Sequence, residues 1–467
     1  LTYSLHPYSH TQGLFLSLSR MAFDPFSIDL PIVEVIPELR ERLSEENVLI
    51  VHAPPGAGKS TLLPLALMDE AGLSDGKILM LEPRRLAAKS IAMRMADLIG
   101  QKAGERIGYR VRFEQKISAA TQIEVVTEGI LTRMLQSDPE LSGINMVIFD
   151  EFHERSIHAD LALALCREAQ KVLRPDLKIL IMSATLNTEQ LSALLHAPVI
   201  SSEGRQFPVE VRYGDGTDIR MVSELVSRKT VQAFKEEEGD ILVFLPGEAE
   251  IKRCESDLRR MVPQAEIHPL YGMLPPSKQM AAILPSKRGK RKIVLATSIA
   301  ETSLTIEGIK VVVDSGLSRK QKFDPRSGLS RLETVTISTD SADQRAGRAG
   351  RLSPGVCYRL WSQADHLRLQ HHDIPELLEA DLASLMLELA QWGVADPKTL
   401  DWLNPPPAGH VAQARQTLEE LGAVENGKIT AHGKAMLELP CHPRIAHMLL
   451  LADSQSLRQL ACDLAAI

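Results

Sequence analysis

Short apolar runs alternate with amphipathic segments along the first part of the chain, from Ile32 to about Ser202. Alternation of this kind is typical of βαβ units, in which helices cover both faces of a parallel sheet. The predicted helices include segments 86–99 and 129–135. The strands are predicted at Val48–Val51, Ile78–Leu81, Ile123–Val126, Met146–Phe149 and Ile179–Met182.

A second series of the same kind begins near Phe207. Because the order of elements repeats, the pattern predicts a second α/β domain that is a degenerate copy of the first. Its strands are predicted at Ile241–Leu245, Ile267–Leu270, Ile293–Ala296, Val311–Val313 and Val356–Leu360.

Helical patterns replace the alternation beyond Trp361. Helices are predicted at 374–392 and 409–421, and a short hairpin with an Asn-Gly turn follows at 423–430. This order indicates a winged-helix module, in which the prolines at 405–407 form a stiff joint. The last ~30 residues are helical by pattern and end without a stop signal, so we expect the natural chain to continue.

These patterns predict five parts of the chain. Residues 1–20 are rich in Ser, His and Tyr and lack a basic n-region, so we interpret them as part of a disordered extension and not as a signal peptide. Met21 is an alternative start. The predicted parts are an N-terminal extension at 1–30, two α/β domains at 31–202 and 203–365, a winged helix at 366–437 and the start of a helical bundle at 438–467.

Composition narrows the class of protein without identifying a function. The 467 residues are 44% hydrophobic and 24% charged, and no apolar run reaches the ~18 residues that a membrane span needs. The five cysteines are scattered and form no Cys-x-x-Cys pair, which indicates reduced thiols and a cytoplasmic location. A net charge of −7 excludes a uniformly basic nucleic-acid-coating protein but not a local basic groove.

A phosphate-binding loop lies between the first predicted strand and an apolar helix. It contains the consecutive residues Gly56, Ala57, Gly58, Lys59, Ser60 and Thr61. Glycines let successive backbone N–H groups converge on one anion, while the lysine reaches the β- and γ-phosphates and the Ser60 hydroxyl binds Mg²⁺. Ala53 replaces the first glycine of the usual motif, and this replacement requires a negative φ there. The sequence therefore predicts a nucleoside triphosphate site.

Two adjacent carboxylates follow a later hydrophobic strand, at Asp150 and Glu151. At a strand end opposite Ser60, Asp150 can hold Mg²⁺ and Glu151 can polarise the water that attacks the γ-phosphate. An acidic pair that is merely exposed at the surface is the alternative interpretation.

A basic segment near the end of the second series supplies positive charge. If it is helical, Arg345, Arg348 and Arg351 lie on one broad side. Arginines that enter from a second domain stabilise the transition state of phosphoryl transfer, and Gln344 is suited to hold the attacking water. A basic helix face that meets solvent or RNA is the alternative.

Seven short motifs occur in the order found in the DEAH-box RNA helicases of superfamily 2, and the chain resembles that family from about Ile32 to Trp361. Within the family, it looks most like bacterial members in which Asp-Glu-Phe-His is an accepted variant of Asp-Glu-Ala-His. The motifs are Gly56–Thr61, Pro83–Ala88, Thr127–Gly129, Asp150–His153, Ser183–Thr185, Ile299–Ile306 and Gln344–Arg351.

The resemblance implies two tandem RecA-like domains that bind ATP, or other NTPs, with Mg²⁺. It implies that Ser60, Asp150 and Glu151 hold the metal and that Glu151 is also the base. It adds His153 as a link between hydrolysis and the second domain, Ser183 and Thr185 as a relay between nucleotide and RNA, and Arg94 as the partner of the adenine ring. The RNA backbone contacts that it implies are Arg84, Arg85, Arg112, Thr127, Thr297, Thr302 and Thr305.

The expected activity is ATP-dependent translocation on single-stranded RNA, with unwinding or remodelling of RNA–protein particles. The expected partners are RNA and a ribosomal or other RNA–protein particle, with no membrane, and the protein is expected to be a monomer. Two alternatives remain: an ATP-gated RNA clamp that opens no strand, and a helicase that acts on DNA.

Overall fold

The structure is a computed structural model that describes residues 23–466, except 185–187, 206, 217, 287–288, 303–305 and 325–328. Its first sheet has the strand order β4-β3-β5-β2-β6-β7-β1-β8, and it is parallel apart from the β3–β4 pair. The strands are β1 (Val48–His52), β2 (Lys77–Leu81), β3 (Ile107–Val111), β4 (Glu114–Lys116), β5 (Ile123–Val126), β6 (Ile144–Phe149), β7 (Lys178–Ser183) and β8 (Val199–Ser201).

Helices cover this sheet, as the alternating pattern predicts. Their buried faces meet the apolar strands, which are almost fully buried because both faces of the sheet are covered. The helices are α1 (Ile36–Glu45), α2 (Lys59–Leu67), α3 (Arg85–Leu98), α4 (Glu128–Ser137), α5 (Ile157–Val172) and α6 (Thr188–Leu195).

The second sheet is parallel throughout, in the order β11-β12-β10-β13-β16-β9, and a separate antiparallel hairpin pairs β14 with β15. Its helices are α7 (Val222–Glu236), α8 (Glu248–Met261), α9 (Pro276–Ile283) and α10 (Thr339–Gly347). The strands of the sheet and the hairpin are β9 (Val209–Tyr213), β10 (Asp240–Phe244), β11 (Glu266–Leu270), β12 (Lys292–Ala296), β13 (Ile309–Asp314), β14 (Leu317–Asp324), β15 (Leu329–Thr336) and β16 (Gly355–Arg359).

The remaining elements form a helical tail with one small hairpin, the order that the winged-helix prediction requires. The apolar side chains of α13 share a buried cluster with α4 and α5 of the first domain. The elements are α11 (Gln363–His366), α12 (Glu376–Glu379), α13 (Ala383–Trp392), α14 (Ala408–Glu420), β17 (Val424–Glu425), β18 (Lys428–Ile429), α15 (Ala431–Glu438), α16 (Pro443–Leu451) and α17 (Gln455–Ala466).

All ten strands predicted for the two sheets are present, but the pattern missed others. The hairpin β14–β15 was missed because most of its side chains alternate between polar types and carry no apolar face. Strands β3, β4, β8 and β9, which lie at or next to a sheet edge, were also missed. The hydrophobic pattern therefore located the strands in the middle of each sheet and, of the edge strands β4, β8, β9 and β11, only β11.

The prediction of a single helix at 374–392 is wrong, because the structure has two helices there, α12 and α13. The N–H of Ala383, the first residue of α13, donates to the carboxylate of Asp381 at 2.8 Å, and the N-cap residue of this helix is Leu382. The chain is therefore not helical between Glu379 and Ala383.

The segment that precedes the first domain packs against the phosphate-binding loop. Ile28 and Leu30 contact the buried core, and the N–H of Ile32 donates to the carbonyl of Ala57 at 3.1 Å. Residues 23–30, which the predicted boundary placed in the extension, are thus part of this packing; residues 1–22 lie outside the described chain.

Candidate active site between the two sheets

The phosphate-binding loop connects β1 to α2, as predicted. Gly56 and Gly58 have φ angles of +88° and +96°, which side chains other than glycine rarely adopt. A Cβ atom on Gly58 would lie 2.8 Å from the Cδ1 atom of Leu30. Ala53 is not among the residues with positive φ, and its N–H donates to the carbonyl of Ser183 at 3.0 Å, so the missing glycine causes no strain.

Lys59 points from the start of α2 to the acidic pair after β6. Its Nζ atom lies 3.4 and 3.3 Å from the two carboxylate oxygens of Glu151, and both side chains are buried. Glu151 itself has a φ of +50°, so the turn after the strand is left-handed. The two predicted motifs therefore meet at the carboxyl edge of the sheet.

Burial acts on both carboxyl groups of this pair, with opposite results. It raises the pKa of Asp150, and the adjacent carboxylate of Glu151 adds to the rise. For Glu151 the effect of burial is outweighed by the charge and hydrogen bond of Lys59, which lower its pKa. Burial also lowers the pKa of His153, whose Nδ1 atom lies 3.4 Å from Glu151. The site thus holds Glu151 ionised and His153 neutral at pH 7.

Asp150 has the geometry of a metal ligand. Its Oδ1 atom accepts a hydrogen bond from the N–H of Glu151 at 2.9 Å, and the Ser60 hydroxyl lowers its pKa. Its Oδ2 atom is buried and has no hydrogen-bond partner among the described residues. A buried carboxylate oxygen without a partner is unfavourable unless it binds a cation or a water molecule. Asp150 and Ser60 therefore fit a Mg²⁺ ion.

The second sheet places two arginines against the same crevice. The Nε atom of Arg351 lies 3.9 Å from the position that a Cβ on Gly56 would occupy. Arg348 donates through Nε to the carbonyl of Glu301 at 2.9 Å and through Nη2 to that of Thr302. Burial lowers the pKa of both arginines, to about 10 for Arg351, and the charge of Glu151 opposes this shift. Both guanidinium groups are therefore close to the acidic turn of the first domain.

The basic segment is not one helix, contrary to the sequence interpretation. Helix α10 ends at Gly347, so Arg348 is its C-cap and Arg351 lies beyond it. Arg345, inside the helix, is 1% exposed and pairs with Glu301 and Asp314, both at 2.9 Å. The end of the helix therefore separates an internal arginine from the two at the crevice.

Gln344 is buried on α10 and lines a cavity of about 360 Å³. His153 and Thr302 line the same cavity, at the junction of the two sheets and the tail. Ser183, which ends β7, is also buried, whereas Thr185 lies outside the described residues. Arg94 is exposed on α3 and Thr61 donates through its hydroxyl to Gly58 at 3.3 Å.

The residues predicted to touch RNA fall into separate places. Arg85, Arg112 and Thr127 line a cavity of about 630 Å³ between the first domain and helices α13, α15 and α16. Thr297 follows β12, and its N–H donates to the carbonyl of Leu270 at 3.2 Å. Thr305 lies outside the described residues.

Arg84 and Thr302 belong to the junction of the two domains in this structure. Arg84 donates to the carbonyls of Ser298 and Ile299, both at 2.9 Å, and pairs with Glu154 at 3.1 Å. The Thr302 hydroxyl donates to the same carboxylate. The sequence analysis did not identify Glu154. Its position directly after the Asp-Glu-Phe-His motif is the signal that could have identified it.

The rings of Phe152 and of the tail histidines have packing, ion-pair or hydrogen-bond partners. Phe152 is 1% exposed and packs edge-on against Phe149 with ring centroids 6.1 Å apart. Near the tail, His442 pairs with Asp381 at 3.1 Å and His447 contacts His432 at 2.9 Å. Over the described residues, three or more metal-ligating side chains do not cluster anywhere, and no helix is both long and apolar enough to cross a membrane.

Comparison with known proteins gives two family matches. The model described as DEAD/DEAH box helicase matches residues 33–194, and the model described as helicase conserved C-terminal domain matches residues 219–353. The first range contains strands β1–β7 and the second contains β10–β15, so strands β8, β9 and β16 lie outside the matched ranges.

Curated relatives and solved structures agree with these matches. ATP-dependent RNA helicase HrpB of Escherichia coli (strain K12) is 48% identical over 94% of this chain and 54% of its own. ATP-dependent RNA helicase HrpA of Borreliella burgdorferi is 38% identical over 91% of this chain and 52% of its own. A crystal structure of the Escherichia coli DEAH/RHA helicase HrpB has a TM-score of 0.87 at 47% identity, over 94% of this chain and 56% of that chain. The chain spans about half the length of the curated relatives it matches.

Proposed function

Since this chain belongs to the DEAD/DEAH box helicase family, we propose that it hydrolyses ATP to move along single-stranded RNA and to unwind it or remodel RNA–protein particles. The observation that carries the proposal is the position of Arg351. This residue comes from the second domain, yet it lies against Gly56 of the phosphate-binding loop. A triphosphate in that loop would therefore lie between groups of both domains.

The chain's own residues have distinct tasks in hydrolysis. Lys59 and the N–H groups of the loop bind the phosphates, and the ionised carboxylate of Glu151 orients the attacking water and accepts its proton. Gln344 holds that water, while Arg348 and Arg351 stabilise charge that develops on the γ-phosphoryl group. The low pKa of Glu151 supports its part, because a base has to be ionised at pH 7.

Asp150 and Ser60 would hold Mg²⁺. The buried Oδ2 atom of Asp150 supports this assignment, because it has no hydrogen-bond partner within the described part of the chain. When bound, the ion neutralises negative charge on the β- and γ-phosphates. ATP is the proposed substrate, with the exposed Arg94 as the partner of the adenine ring, and other NTPs are proposed alternative substrates.

RNA would follow the two cavities that border the first domain. Arg85, Arg112 and Thr127 line the larger one, and Arg84 lines the smaller. Because these groups are suited to phosphate and ribose, binding should be salt-sensitive and tolerant of sequence. Thr297 and Thr305 stay predicted RNA contacts, and Thr185 stays, with Ser183, the predicted relay between nucleotide and RNA.

We also propose a cytoplasmic monomer that acts on ribosomal or other RNA–protein particles. All five cysteines are free thiols, which supports a reducing compartment.

The test of the proposal is ATP hydrolysis by the Lys59→Ala variant. Without the ammonium group the triphosphate loses its main cation, so hydrolysis should fall by at least about 100-fold, at the level seen for other electrostatic catalytic groups. The control is Lys252→Ala, which removes a surface lysine paired with Glu248 and should leave the rate unchanged. Hydrolysis by Lys59→Ala at the parental rate would show that the site is wrongly assigned.

Two further measurements separate the alternatives. Stimulation of hydrolysis by RNA and DNA homopolymers shows which nucleic acid the chain uses. RNA-stimulated hydrolysis without displacement of a duplex strand would favour the ATP-gated clamp over the helicase.

A further inference from the structure

Glu154 joins groups from both domains through one carboxylate oxygen. It lies in the turn after β6, three residues beyond Glu151, and its side chain is 19% exposed. Its Oε1 atom is 3.1 Å from Nη2 of Arg84, which belongs to the first domain. The same atom accepts a hydrogen bond from the hydroxyl of Thr302, which belongs to the second.

Arg84 connects this carboxylate to a single segment of the second domain. Its Nη1 atom donates to the carbonyls of Ser298 and Ile299. The same segment continues to Glu301 and Thr302, whose carbonyls accept from Arg348. Segment 298–302 is therefore bonded to Arg84 and Glu154 on one side and to Arg348 on the other.

The junction also has room for a phosphate. Arg84, Glu154 and Thr302 line the cavity of about 360 Å³ together with Arg319 and Lys320. An anion that entered this cavity would meet Arg84, Arg319 and Lys320 among the cationic side chains that line it, and it would compete with the present partners of Arg84.

We propose that Glu154 is a positioning residue that retains Arg84 at the domain junction, so that an RNA phosphate has to compete with this carboxylate for the guanidinium group. The proposal rests on the proposed function. When Arg84 moves to RNA, segment 298–302 loses two hydrogen bonds to the first domain. Because Arg348 is bonded to the same segment, RNA binding is transmitted to an arginine of the ATP site.

Although Glu154→Gln removes an ion pair, we expect this substitution to strengthen RNA binding. The amide keeps the size of the side chain but not its charge, so Arg84 is released more easily. Affinity for a single-stranded poly(U) RNA without nucleotide should rise about tenfold, the effect of one charge-assisted hydrogen bond. The ratio of RNA-stimulated to basal hydrolysis should fall, because RNA no longer breaks a restraint.

Fluorescence anisotropy with labelled poly(U) measures the affinity, and Glu255→Gln is the control. Glu255 pairs with Arg259 on the surface of α8, so its replacement should leave RNA affinity unchanged. In an Arg84→Ala background, Glu154→Gln should have no effect on affinity, because the competing group is gone. A merely structural role would weaken RNA binding and lower the unfolding temperature instead.

Equal or weaker RNA binding by Glu154→Gln would overturn the inference. If that variant does not fold, Glu154→Asp retains the charge but withdraws it from Arg84, and the same rise in affinity is expected. The affinity comparison needs no hydrolysis. A parental chain that fails to hydrolyse ATP would therefore refute the proposed function and leave this test intact.

Discussion

A single buried lysine determines how charge is distributed among the acidic groups of the site. Lys59 lies against Glu151 and favours its ionised form, whereas at the neighbouring Asp150 burial and the like charge of Glu151 outweigh the effect of Lys59. Two adjacent carboxyl groups therefore have pKa values displaced in opposite directions. Such a division is typical of catalytic sites, where one group acts as a base and another binds a cation.

Glu128 is a buried carboxyl group outside the ATP site, and its raised pKa should make the stability of the protein depend on pH. Burial raises its pKa from the ordinary value of 4.5 to about 7, although the Ser156 hydroxyl donates to its carboxylate at 2.5 Å. Because the folded state binds the proton more tightly, its stabilising contribution is complete below pH 4.5. The contribution is lost as pH rises through about 7.

Glu128→Gln should remove this pH dependence, because the amide carries no proton to lose and still accepts from Ser156. At pH 8 we expect the variant to be more stable than the parent by about 1–3 kcal/mol, and at pH 5 nearly equal. Thermal unfolding at both pH values measures the difference, with the exposed Glu419→Gln as control. Parallel pH profiles of the variant and the parent would contradict the prediction.

A residue inside helix α10 anchors the helix to the second sheet, and the residues just beyond its end reach the crevice. The Ser338 side chain caps it by accepting from the N–H of Ser341, and Arg345 bonds it to β13 through Asp314. Because the helix stops at Gly347, the next residues turn toward the first domain and carry Arg348 and Arg351 to the crevice. The anchor and the catalytic candidates thus belong to one continuous segment.

Arg345→Ala should destabilise the second domain strongly. It would leave the carboxylates of Glu301 and Asp314 in the interior without their cation, a change that costs about 3–5 kcal/mol. Urea unfolding measures this loss, and Arg260→Ala, which removes an exposed ion pair with Asp257, should cost less than about 1 kcal/mol. A loss as small as that of the control would mean that the buried network contributes little.

At the scale of the whole molecule, the packing links the tail to the first domain. Met386 and Trp402 of the tail share a buried cluster with Leu135 and Phe149. Contacts across the crevice include the hydrogen bonds of Arg84 to segment 298–302, and apolar side chains of both domains also share one buried cluster. Because polar contacts exchange partners at lower cost than a packed core, we expect the second domain to move against a unit formed by the first domain and the tail.

Nucleotide binding should therefore protect backbone amides on both sides of the crevice from hydrogen exchange. With Mg²⁺ and a non-hydrolysable ATP analogue, amide hydrogen exchange should slow in residues 53–61 and also in 344–351. Arg351→Ala should retain the first effect and lose most of the second, because its guanidinium group is the proposed contact to phosphate. Protection limited to 53–61 in the parent would show that the second domain does not take part.

The sequence by itself determined the central strands and the chemistry at their ends. Apolar runs such as Val48–Val51 are buried wherever they fold, and the glycines at 56 and 58 are required by backbone conformation alone. Local signals of this kind do not depend on contacts with residues that are distant in the sequence. For the same reason the polar hairpin β14–β15 and the break at Asp381 were missed, since no local apolar period marks them.

Only the tertiary structure decided which groups are partners across the crevice. Arg345, Arg348 and Arg351 are equivalent in the sequence, yet one is paired internally while the other two flank the ATP site. Glu154 gained its two partners because residues 84 and 302 come together when the domains meet. Charge pairing depends on distances between parts of the chain that are far apart in sequence, and folding alone sets those distances.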